Sequence, residues 1–550
     1  MEHVWLKQYD EGIPAEIDPG EFRSIVDMLE TSFERFAVRP AFTSFGKVLT
    51  FAEIDRLSRQ FAAYLQQHGY RKGDRLALMM PNVLQYPIAL FGALRAGLIV
   101  VNVNPLYTKR ELLNQLQDAE AKGIVIFANA AHNLAAVVDQ LALQDIFITE
   151  IGDLLGFPKR LLVNLVVKYV KRLVPDFHLP TAVPFDEVLR RGDVDRFEPV
   201  PLSHEDTAFL QYTGGTTGVA KGAELTHGNM VANMLQARAW IGNLVEEGQD
   251  IIITALPLYH IFSLTANCFV FSNVGALNVL IVNPRDMRAF IHEMRRWPFT
   301  VITGVNTLFN SLLRQPAFRR LDFSNMKISL GGGMAVQKSV AEQWREVTGH
   351  PLVEAYGLTE TSPAAVINPM TLKEFNGYIG LPIPSTVVEI RDEEGRELPF
   401  GEVGEVCIYG PQVMRGYWRA PEETAEVIGE DGFFRSGDLG FMTPEGYVKL
   451  VDRKKDMILV SGFNVYPNEI EEVVAKHPQV HECAVIGIPD ERSGEVPKLF
   501  VVPQGEGLTA KELIAYCREN LTGYKVPRSV EFCDELPKNP VGKVLRKELR

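Results

Sequence analysis

The chain has 550 residues, of which 46% are hydrophobic and 23% are charged. This composition is typical of globular proteins and excludes a mainly disordered or fibrous chain, and the length predicts about three to five packed units. There are 69 acidic and 56 basic residues, which give a formal net charge of −13. General binding of nucleic acid requires the opposite charge, so this class of function is disfavoured.

The first part of the chain alternates helical and strand patterns. Apolar residues recur at helical spacing from Phe22 to Phe36 and from Ile54 to Leu65. Thr108 and Glu111 have the spacing of a capping box, which predicts the start of another helix. Short apolar runs between these helices read as strands: 75–80, 98–103 and 123–127. The alternation predicts a mainly parallel, doubly wound sheet, and it resumes over 208–356.

Two stretches raise the question of membrane contact. Residues 251–284 contain no charged side chain, but prolines, asparagines and a glycine interrupt them, which predicts a strand, a loop, a buried helix and a second strand. Residues 159–174 contain no acidic side chain and predict a basic amphipathic helix. Such a helix either lies in an anionic membrane surface or docks on the core by its apolar face, and the pattern favours the docked helix slightly.

After Gly377 the sequence pattern changes to short β-like runs separated by frequent turns rich in Gly and acidic residues. This pattern predicts a small β-rich unit. A charged stretch at 452–456 then precedes a last unit of strands and two helices, the second opened by Thr509 and Glu512 in a capping box. We therefore predict two domains, residues 1–452 and residues 453–550.

The cysteines and the N-terminus indicate a cytoplasmic protein. The five cysteines are odd in number and widely spaced, and no CxxC pair occurs, so the pattern favours reduced thiols over a disulfide framework or a zinc site. The first residues have acidic side chains and no apolar core, unlike a secretory signal.

The segment YTGGTTGVAKG at 212–222 is the strongest chemical signal. Its glycines allow backbone N–H groups to approach phosphate oxygens, its threonines add donors, and Lys221 adds positive charge. A Walker loop requires Ser or Thr directly after the lysine, where this chain has Gly222. The pattern predicts a phosphate-binding loop of another kind, against the alternative of a Gly/Thr-rich surface turn.

Three further sequence elements are each a weak indication of function when taken alone. YGLTET at 356–361 combines an aromatic ring, hydroxyls and a carboxylate, a set that suits a base, a phosphate and Mg²⁺. SGD at 436–438 offers a carboxylate after a glycine turn, which suits ribose hydroxyls, and GGGM at 331–334 allows a planar base to lie against backbone. The tail LPKNPVGKVLR at 536–546 presents Lys543 in a non-helical loop. Each element is also compatible with an ordinary turn or a solvated charge.

With these motifs in this order, the chain resembles the acyl-adenylate-forming superfamily of acyl-CoA synthetases, adenylation domains and beetle luciferases. Residues 431–455 and SGFNVYPNEIE at 461–471 resemble the signature of the fatty-acyl-CoA synthetases, and bacterial long-chain fatty-acid–CoA ligases are the nearest resemblance. The resemblance implies an α/β fold: a large N-terminal domain of two doubly wound α/β subdomains plus a small distorted β-barrel, with a smaller mobile α+β C-terminal domain. It also implies a two-step reaction, in which acyl-AMP and pyrophosphate form first and CoA then takes the acyl group.

The resemblance implies roles for individual residues. The residues assigned to the β- and γ-phosphates are Thr213, Gly214, Gly215, Thr216, Thr217, Gly218 and Lys221. The residues assigned to the rest of the nucleotide are Gly332, Gly333, Tyr356 and Gly357 on the adenine side, Thr359 at the α-phosphate, and Asp438 and Arg453 at the ribose. Glu360 and Thr213 are candidates for Mg²⁺. Lys543 is the expected catalytic lysine, Lys455 the hinge, and His260 a residue beside the acyl site, unless it is an ordinary core histidine. Leu264 and Thr265 stand where some relatives carry a gating tryptophan.

The expected substrates are therefore fatty acid, ATP and CoA, with Mg²⁺, and a peripheral membrane contact through 159–174 is one expectation. Three alternatives remain open at this stage: an acyl-AMP ligase that loads a carrier protein, a nucleotide- and lipid-binding scaffold without turnover, and a membrane transporter. The interrupted 251–284 stretch argues against the transporter.

Overall fold

The structure is a computed structural model that describes residues 3–213, 220–461, 463–490, 492–539 and 542–550. Two large sheets dominate the part before residue 377. The first has eight strands, in the spatial order Gly416–Tyr417, Lys221–Thr226, Thr207–Thr213, Ile99–Asn102, Arg75–Met79, Gly123–Phe127, Asp145–Thr149 and Val183–Pro184. The six strands from Thr207–Thr213 to Val183–Pro184 are parallel to one another. The other two strands join by antiparallel pairing, Lys221–Thr226 with Thr207–Thr213 and Gly416–Tyr417 with Lys221–Thr226.

The second large sheet has nine strands. Their spatial order is Leu381–Pro382, Ala364–Ile367, Val353–Gly357, Ile328–Gly331, Val301–Gly304, Ile251–Thr254, Leu277–Leu280, Pro40–Ser44 and Lys47–Thr50. The six strands from Val353–Gly357 to Pro40–Ser44 form five parallel pairs, and the strands at both edges pair antiparallel. Both sheets are mainly parallel and carry helices between their strands, as the sequence pattern predicted.

Two smaller antiparallel-rich sheets follow along the chain. The third sheet has four strands: Val387–Arg391, Gly404–Tyr409, Phe434–Met442 and Val448–Arg453. The fourth sheet belongs to the last unit and has five: Phe463–Val465, Ile458–Val460, Gly494–Pro503, Val480–Asp490 and Ser529–Phe532. The small β-rich unit and the α+β last unit are thus present, and the fold class expected from the resemblance is confirmed.

Helices cover the sheets. The α-helices are Ile25–Arg35, Phe51–Gln67, Gln85–Arg95, Lys109–Asp118, Ala131–Ala135, Lys159–Leu165, Phe185–Arg191, His227–Ile241, Ile261–Ser263, Val270–Asn273, Met287–Met294, Asn306–Leu313, Lys338–Thr348, Pro421–Val427, Pro467–Val474 and Ala510–Asn520. Two π-helical stretches lie at Val166–Val170 and Leu264–Phe269. The predicted capping boxes of Thr108 and Thr509 are both formed. In each box the threonine side chain accepts from the N–H of the Glu three residues later, and the side chain of that Glu accepts from the threonine N–H.

The core is divided at the last unit. One continuous apolar cluster contains residues of the first three sheets, such as Leu76, Val301 and Val388. The fourth sheet and its helices have clusters of their own, with Ile458, Leu499 and Leu513 among their members. A unit with its own core can move as a body without exposing the rest. The five cysteines are free, as predicted.

The 251–284 stretch folds as the sequence pattern predicted. The strand Ile251–Thr254 leads through a loop into the buried segment Ile261–Asn273, and the strand Leu277–Leu280 follows. Within the described ranges, no helix is long and apolar enough to cross a membrane.

The segment 159–174 docks on the protein through Arg160 and Asn164 of its predicted polar face, whereas most of its predicted apolar face is exposed, so it is docked but not by its apolar face. The Arg160 guanidinium lies 2.7 Å from Asp186 and 3.5 Å from Asp153. Asn164 Oδ1 accepts from the Gly152 N–H at 2.7 Å. Six apolar side chains are exposed, Leu161, Leu162, Leu165, Tyr169, Val170 and Leu173, beside the exposed Lys168, Lys171 and Arg172. The ion pairs and hydrogen bonds of Arg160 and Asn164 therefore hold the segment, together with the half-buried Val163, Val166 and Val167.

Candidate active site

One cavity of about 2400 Å³ gathers the residues singled out from the sequence. Its wall includes Thr213, Lys221, His260, Gly332, Gly333, Tyr356, Gly357, Thr359, Glu360, Asp438, Arg453, Lys455 and Lys543. These residues come from the first three sheets, from loops beside them and from a loop of the last unit, which is why no local pattern could place them together. Gly214, Gly215, Thr216, Thr217 and Gly218 lie outside the described residues.

A hairpin brings the two ends of the predicted phosphate loop together. Thr213 ends one strand, Lys221 begins the next, and the two residues are paired in register. The short strand Gly416–Tyr417 pairs with the Lys221 strand on its other side. The Lys221 ammonium lies 5.3 Å from the centre of the Tyr417 ring, a cation–π distance, and 3.9 Å from Glu423. The lysine is thus held at the cavity wall with its charge incompletely neutralised.

Glu360 lies in the turn Thr359–Thr361 and is buried. The Tyr417 hydroxyl donates to its Oε1 at 2.7 Å. Burial raises the pKa of Glu360, and the hydrogen bond from Tyr417 acts in the opposite direction. The same tyrosine therefore contacts the lysine of the phosphate loop and the carboxylate of the YGLTET motif. Sequence reasoning missed Tyr417, because a tyrosine in a two-residue edge strand has no local signal.

Tyr356, Asp438 and Arg453 form a network between sheets. The Tyr356 hydroxyl donates to Asp438 Oδ2 at 2.7 Å. Arg453 Nε lies 3.0 Å from Asp438 Oδ1, and the two residues are paired across neighbouring strands. Both oxygens of the buried Asp438 carboxylate are therefore engaged. The network fixes an aromatic ring, a carboxylate and a guanidinium at one side of the cavity.

The GGGM loop faces this network. The Gly332 N–H donates to the Gly304 carbonyl at 3.1 Å, and an added Cβ at Gly332 would lie 3.1 Å from the Ala355 carbonyl and from the Phe262 ring. Glu354 supports the loop from below, because its Oε1 accepts from the Val336 N–H at 3.0 Å. Burial raises the pKa of Glu354 to about 8. This buried acid also lines the cavity and was missed, since it reads as one residue in an apolar strand.

His260 lies at the start of the buried segment on another wall. Its Nδ1 accepts from the Phe262 N–H at 3.3 Å. Burial and, to a lesser extent, the nearby positive charge of Lys543 together lower the pKa of His260 to about 4. His260 is therefore neutral at physiological pH, and it has both a structural hydrogen bond and a place at the cavity wall.

The Lys543 loop reaches the cavity from the last unit. Its hairpin is closed by the Asn539 N–H bonding to the Lys543 carbonyl at 2.8 Å, and Asn539 Oδ1 accepts from the Lys543 N–H at 2.8 Å. Gly542 has a φ of +87°, and a Cβ there would lie 2.5 Å from Thr307 Oγ1 of the nine-stranded sheet's helix. The absence of a side chain at Gly542 thus permits the close contact that carries Lys543 into the cavity.

Positive charge accumulates where Lys543 enters. Burial lowers the pKa of Lys543 to about 8, and the charges of Arg453, Lys455 and Arg546 lower it as well, whereas Asp438 raises it. Burial and the charge of Arg453 also lower the pKa of Lys455. The cluster is stabilised by an anion, because each added negative charge restores these pKa values. The wall therefore suits a phosphate or carboxylate ligand in a chain whose net charge is −13.

Arg546 anchors the Lys543 loop to the domain boundary. Its guanidinium lies 2.8 Å from Glu471 and 3.5 Å from Asp452. Asp452 Oδ2 also accepts from the Asn468 N–H at 2.8 Å, near the N-terminus of the helix Pro467–Val474. Burial raises the pKa of Asp452 to about 6. These contacts tie the last unit to the final strand of the third sheet.

A second, apolar part of the cavity extends away from the charged groups. It is lined by residues of three neighbouring segments: Ala237, Ile241, Val270, Phe271, Ile367, Met370, Phe375 and Ile379. Thr265, at one of the positions where a gating tryptophan was considered, also lines the cavity, and its hydroxyl donates to the Ser362 carbonyl at 2.7 Å. The arrangement offers a charged site and an apolar channel within one continuous space.

Comparison with known proteins defines the class. A family model described as AMP-binding enzyme matches residues 29–418, and one described as AMP-binding enzyme C-terminal domain matches residues 469–543. The structure of ATP-bound MatB from Rhodopseudomonas palustris superposes with a TM-score of 0.83 at 28% identity, over 96% of this chain and 98% of that one. Fold and site together are those of an AMP-binding enzyme.

The more similar relatives narrow the class. The long-chain-fatty-acid–CoA ligase of Yersinia pestis is 56% identical over 551 residues, covering 100% of this chain and 98% of that protein. The long-chain-fatty-acid–CoA ligase of Bacillus subtilis strain 168 is 39% identical, covering 99% of this chain and 97% of that protein. The chain belongs to the family of long-chain-fatty-acid–CoA ligases.

The contact at Gly542 gives a test of how the Lys543 loop is held. We expect Gly542→Ala to loosen residues 536–546, because its Cβ would meet Thr307 Oγ1 at 2.5 Å. Amide hydrogen exchange in this loop should become about tenfold faster, which corresponds to a loss of about 1.4 kcal/mol.

Gly507→Ala is the matched control. Gly507 also has a positive φ, +98°, but its Cβ would meet nothing within 4 Å, so it carries the backbone strain without the clash. Equal exchange in the 536–546 loop of both variants would mean that the Thr307 contact does not hold it.

Proposed function

We propose that this chain is an AMP-forming acid–thiol ligase that activates a long-chain fatty acid with ATP and transfers the acyl group to CoA. The single observation that carries the proposal is the cavity itself. Cationic and nucleotide-type groups from both units line one part of it, and an apolar channel forms the other. A fatty acid is an anion on an apolar chain, so its two ends match the two parts.

The first half-reaction is a problem of charge. A carboxylate must approach the α-phosphate of a polyanion, and the repulsion must be offset by fixed positive groups at the reacting atoms. Lys221 would hold the terminal phosphates together with residues 213–218. Lys543 would lie between the carboxylate and the α-phosphate and stabilise the negative charge that develops there. Its location beside Arg453 and the wall at His260 supports this role.

The remaining contacts would orient the nucleotide. Asp438 would accept hydrogen bonds from the ribose hydroxyls and Arg453 would donate to them, which fits the carboxylate–guanidinium pair on one wall. Tyr356 and the Gly332–Gly333 backbone would border adenine. Gly357 allows close packing at this edge, because a Cβ there would lie 1.8 Å from the Pro363 carbonyl. Thr359 would contact the α-phosphate.

Magnesium would accompany ATP at Glu360 and Thr213. Within the described residues there is no group of three or more His, Cys, Asp or Glu that could hold a metal ion by itself. One carboxylate and one hydroxyl fit Mg²⁺, which takes its other ligands from phosphates and water. When bound, Mg²⁺ would neutralise phosphate charge. Tyr417 would orient Glu360 for this contact through its hydrogen bond.

The second half-reaction needs other groups at the same place. CoA must reach the acyl carbon where Lys543 now enters the cavity, so the last unit has to move. We place the boundary between residues 452 and 453 and the hinge at Lys455. The separate core of the last unit and the tight turn at Arg453–Asp456, closed by the Asp456 N–H and the Arg453 carbonyl at 3.0 Å, support this assignment.

The activity is tested by pyrophosphate release over acids from acetate to oleate, with and without CoA. We expect release with long-chain acids and acyl-CoA formation when CoA is present. Accumulation of acyl-AMP in the presence of CoA would instead identify a ligase that loads a carrier protein. No pyrophosphate with any acid would leave a binding scaffold and overturn the proposal.

Lys543→Ala is expected to damage the first half-reaction. Loss of one charge-stabilising donor typically costs about 10²–10³ in rate. Pyrophosphate release should fall by at least about a hundredfold, whereas acyl-CoA formation from supplied acyl-AMP should stay near the wild-type rate. Normal adenylation would show that Lys543 is a surface lysine, and equal loss in both steps would show a structural role.

Lys543→Arg is its matched control and adds a pH readout. The pKa of Lys543 is about 8, so the free enzyme loses this positive charge as pH rises through that value. The wild-type kcat/KM for pyrophosphate release should therefore decline above about pH 8, because kcat/KM reports the free enzyme. The arginine variant keeps its charge and should lack this decline.

Lys455→Pro is expected to separate the two half-reactions. Proline is disfavoured at the third position of the common tight turns, which is where Lys455 stands in the Arg453–Asp456 turn. Pyrophosphate release should fall about tenfold or more, and thioester formation from acyl-AMP should fall less. The control is Lys455→Ala, which removes the same side chain without constraining the backbone. A large drop in the midpoint of thermal unfolding, or equal loss in both steps, would argue against a hinge.

We further propose that residues 157–173 bind an anionic membrane surface. The outward apolar side chains are well exposed, for example Phe157 at 88% and Val170 at 74%. Lys168, Lys171 and Arg172 are exposed beside them, in a segment without acidic residues. Apolar side chains flanked by basic ones fit the boundary between acyl chains and anionic head groups. Long-chain acids partition into bilayers, so this surface would bring the enzyme to its substrate.

The membrane proposal is tested with Lys168, Lys171 and Arg172 replaced by glutamine. Each positive charge near an anionic surface contributes about 1 kcal/mol, so sedimentation with phosphatidylglycerol vesicles should weaken about a hundredfold at low salt.

The matched control replaces three exposed basic residues elsewhere, Arg288, Arg320 and Lys511. It changes the net charge equally and should bind as the wild type does. Equal weakening in both variants, or wild-type binding in the first, would contradict the proposal.

A further inference from the structure

The helix His227–Ile241, which we name the channel helix, forms one long wall of the apolar channel. Its cavity-lining residues are Asn233, Ala237 and Ile241, which are spaced by four and share one face. The side chains between them are turned away: Gln236 and Trp240 are fully buried. Ala237 is partly buried, as are Arg238 and Ala239 after it, and of these three only Ala237 lines the cavity.

The strand Ala364–Ile367 runs alongside the channel helix in the same direction. Near the start, Asn233 bonds to both the N–H and the carbonyl of Ala364, at 3.0 and 2.8 Å. Near the end, the Trp240 indole N–H donates to the Asn368 carbonyl at 3.0 Å. The strand Ala364–Ile367 and the channel helix are therefore held directly together at two points, which fixes the position of the helix along the cavity.

One end of this channel lies at the reacting groups. Ala364 is paired in register with Gly357, which immediately precedes the Thr359–Thr361 turn. The Asn233 end is thus the entrance from the nucleotide site. The Ile241 end is bordered by Phe271 and Met370, which are apolar and also line the cavity. Positions along the helix from Asn233 to Ile241 therefore correspond to increasing depth.

We propose that the channel helix is a chain-length ruler, in which Ala237 admits the middle of the fatty acyl chain and Ile241 borders its distal part. The inference rests on the proposed function, because it assumes that an acyl chain occupies the channel. Because the Ala237 side chain ends at Cβ, it leaves the width that a methylene chain needs. A larger side chain there would fill the channel and stop the chain one helical turn beyond Asn233.

The helix rise sets the scale of the ruler. Four residues span about 6 Å, and the eight from Asn233 to Ile241 span about 12 Å. With a C–C bond of about 1.5 Å, an extended alkyl chain advances about 1.3 Å per carbon. One turn of the helix is therefore equivalent to about five carbons, and the full stretch accommodates about nine.

The test measures kcat/KM for pyrophosphate release with a series of saturated acids from C4 to C18. In Ala237→Phe, long acids should lose about 10- to 100-fold in kcat/KM, because their chains would overlap a filled space. Short acids should keep wild-type values. In Ile241→Phe the same loss should begin at chains about five carbons longer. Ala237→Leu, a smaller change, should show an intermediate loss at the Ala237→Phe cut-off.

Ala239→Phe is the matched control. Ala239 lies two residues from Ala237, about 200° around the helix, and outside the described lining of the cavity. It should leave the chain-length profile unchanged.

Two outcomes would overturn the ruler while the ligase activity survives. These are an identical cut-off in the Ala237 and Ile241 variants, and unchanged long-chain activity in Ala237→Phe with short acids also unchanged. If the Phe variants do not fold, Ala237→Leu and its melting temperature decide the result. If no acid releases pyrophosphate in the wild type, the proposed function fails instead of the ruler.

Discussion

The contact of Tyr356, Asp438 and Arg453 is the constraint on which the rest of the site depends. Tyr356 belongs to the nine-stranded sheet, Asp438 to the third sheet, and Arg453 ends that sheet at the entrance to the last unit. A buried carboxylate requires partners for both oxygens, because an unpaired charge in this environment is strongly unfavourable. Satisfying Asp438 therefore fixes the relative placement of three parts of the molecule, and with it the point from which the last unit extends.

The site concentrates positive charge in an acidic protein. Arg453, Lys455 and Arg546 come close enough to Lys543 to lower its pKa, although the whole chain carries a net charge of −13. Such an accumulation costs stability until an anion arrives. The docked last unit is the element that completes it, so binding of a polyanion would favour this arrangement, and release of pyrophosphate would weaken it.

The segment 159–174 and the channel helix both leave apolar side chains accessible, the segment at the surface and the helix at the cavity. The segment 159–174 has an outward apolar surface because Arg160 and Asn164 satisfy buried acidic and backbone partners on its inner side. The channel helix has the opposite arrangement, with its cavity face lined by the small Ala237 and the apolar Ile241. In both helices, the position of a few polar residues decides which face is available to a lipid.

Several features of this protein follow from the sequence by itself. Apolar alternation between capped helices determined the doubly wound sheets, since burial of parallel strands requires helices on both faces. The Gly/Thr-rich loop, YGLTET, SGD and Lys543 indicated the chemistry because their residue types are what a nucleotide and a carboxylate require. The residue types of the chemical part of the site could be proposed for this reason, whereas the domain boundary at 452–456 stays a prediction. The loop itself, residues 214–219, lies outside the described part of the chain.

Only the tertiary structure decided the rest. Tyr417 and Glu354 became site residues because distant strands bring them to Glu360 and to the GGGM loop, and no local pattern records a contact between strands. The amphipathic pattern of 159–174 defined two faces but could not say which one meets the protein. That choice depended on Asp153 and Asp186, whose carboxylates need cationic or amide partners. The placement of Ala237 and Ile241 at the cavity likewise depends on distant contacts, because the helix that carries them is held by the bonds of Asn233 to Ala364 and of Trp240 to Asn368.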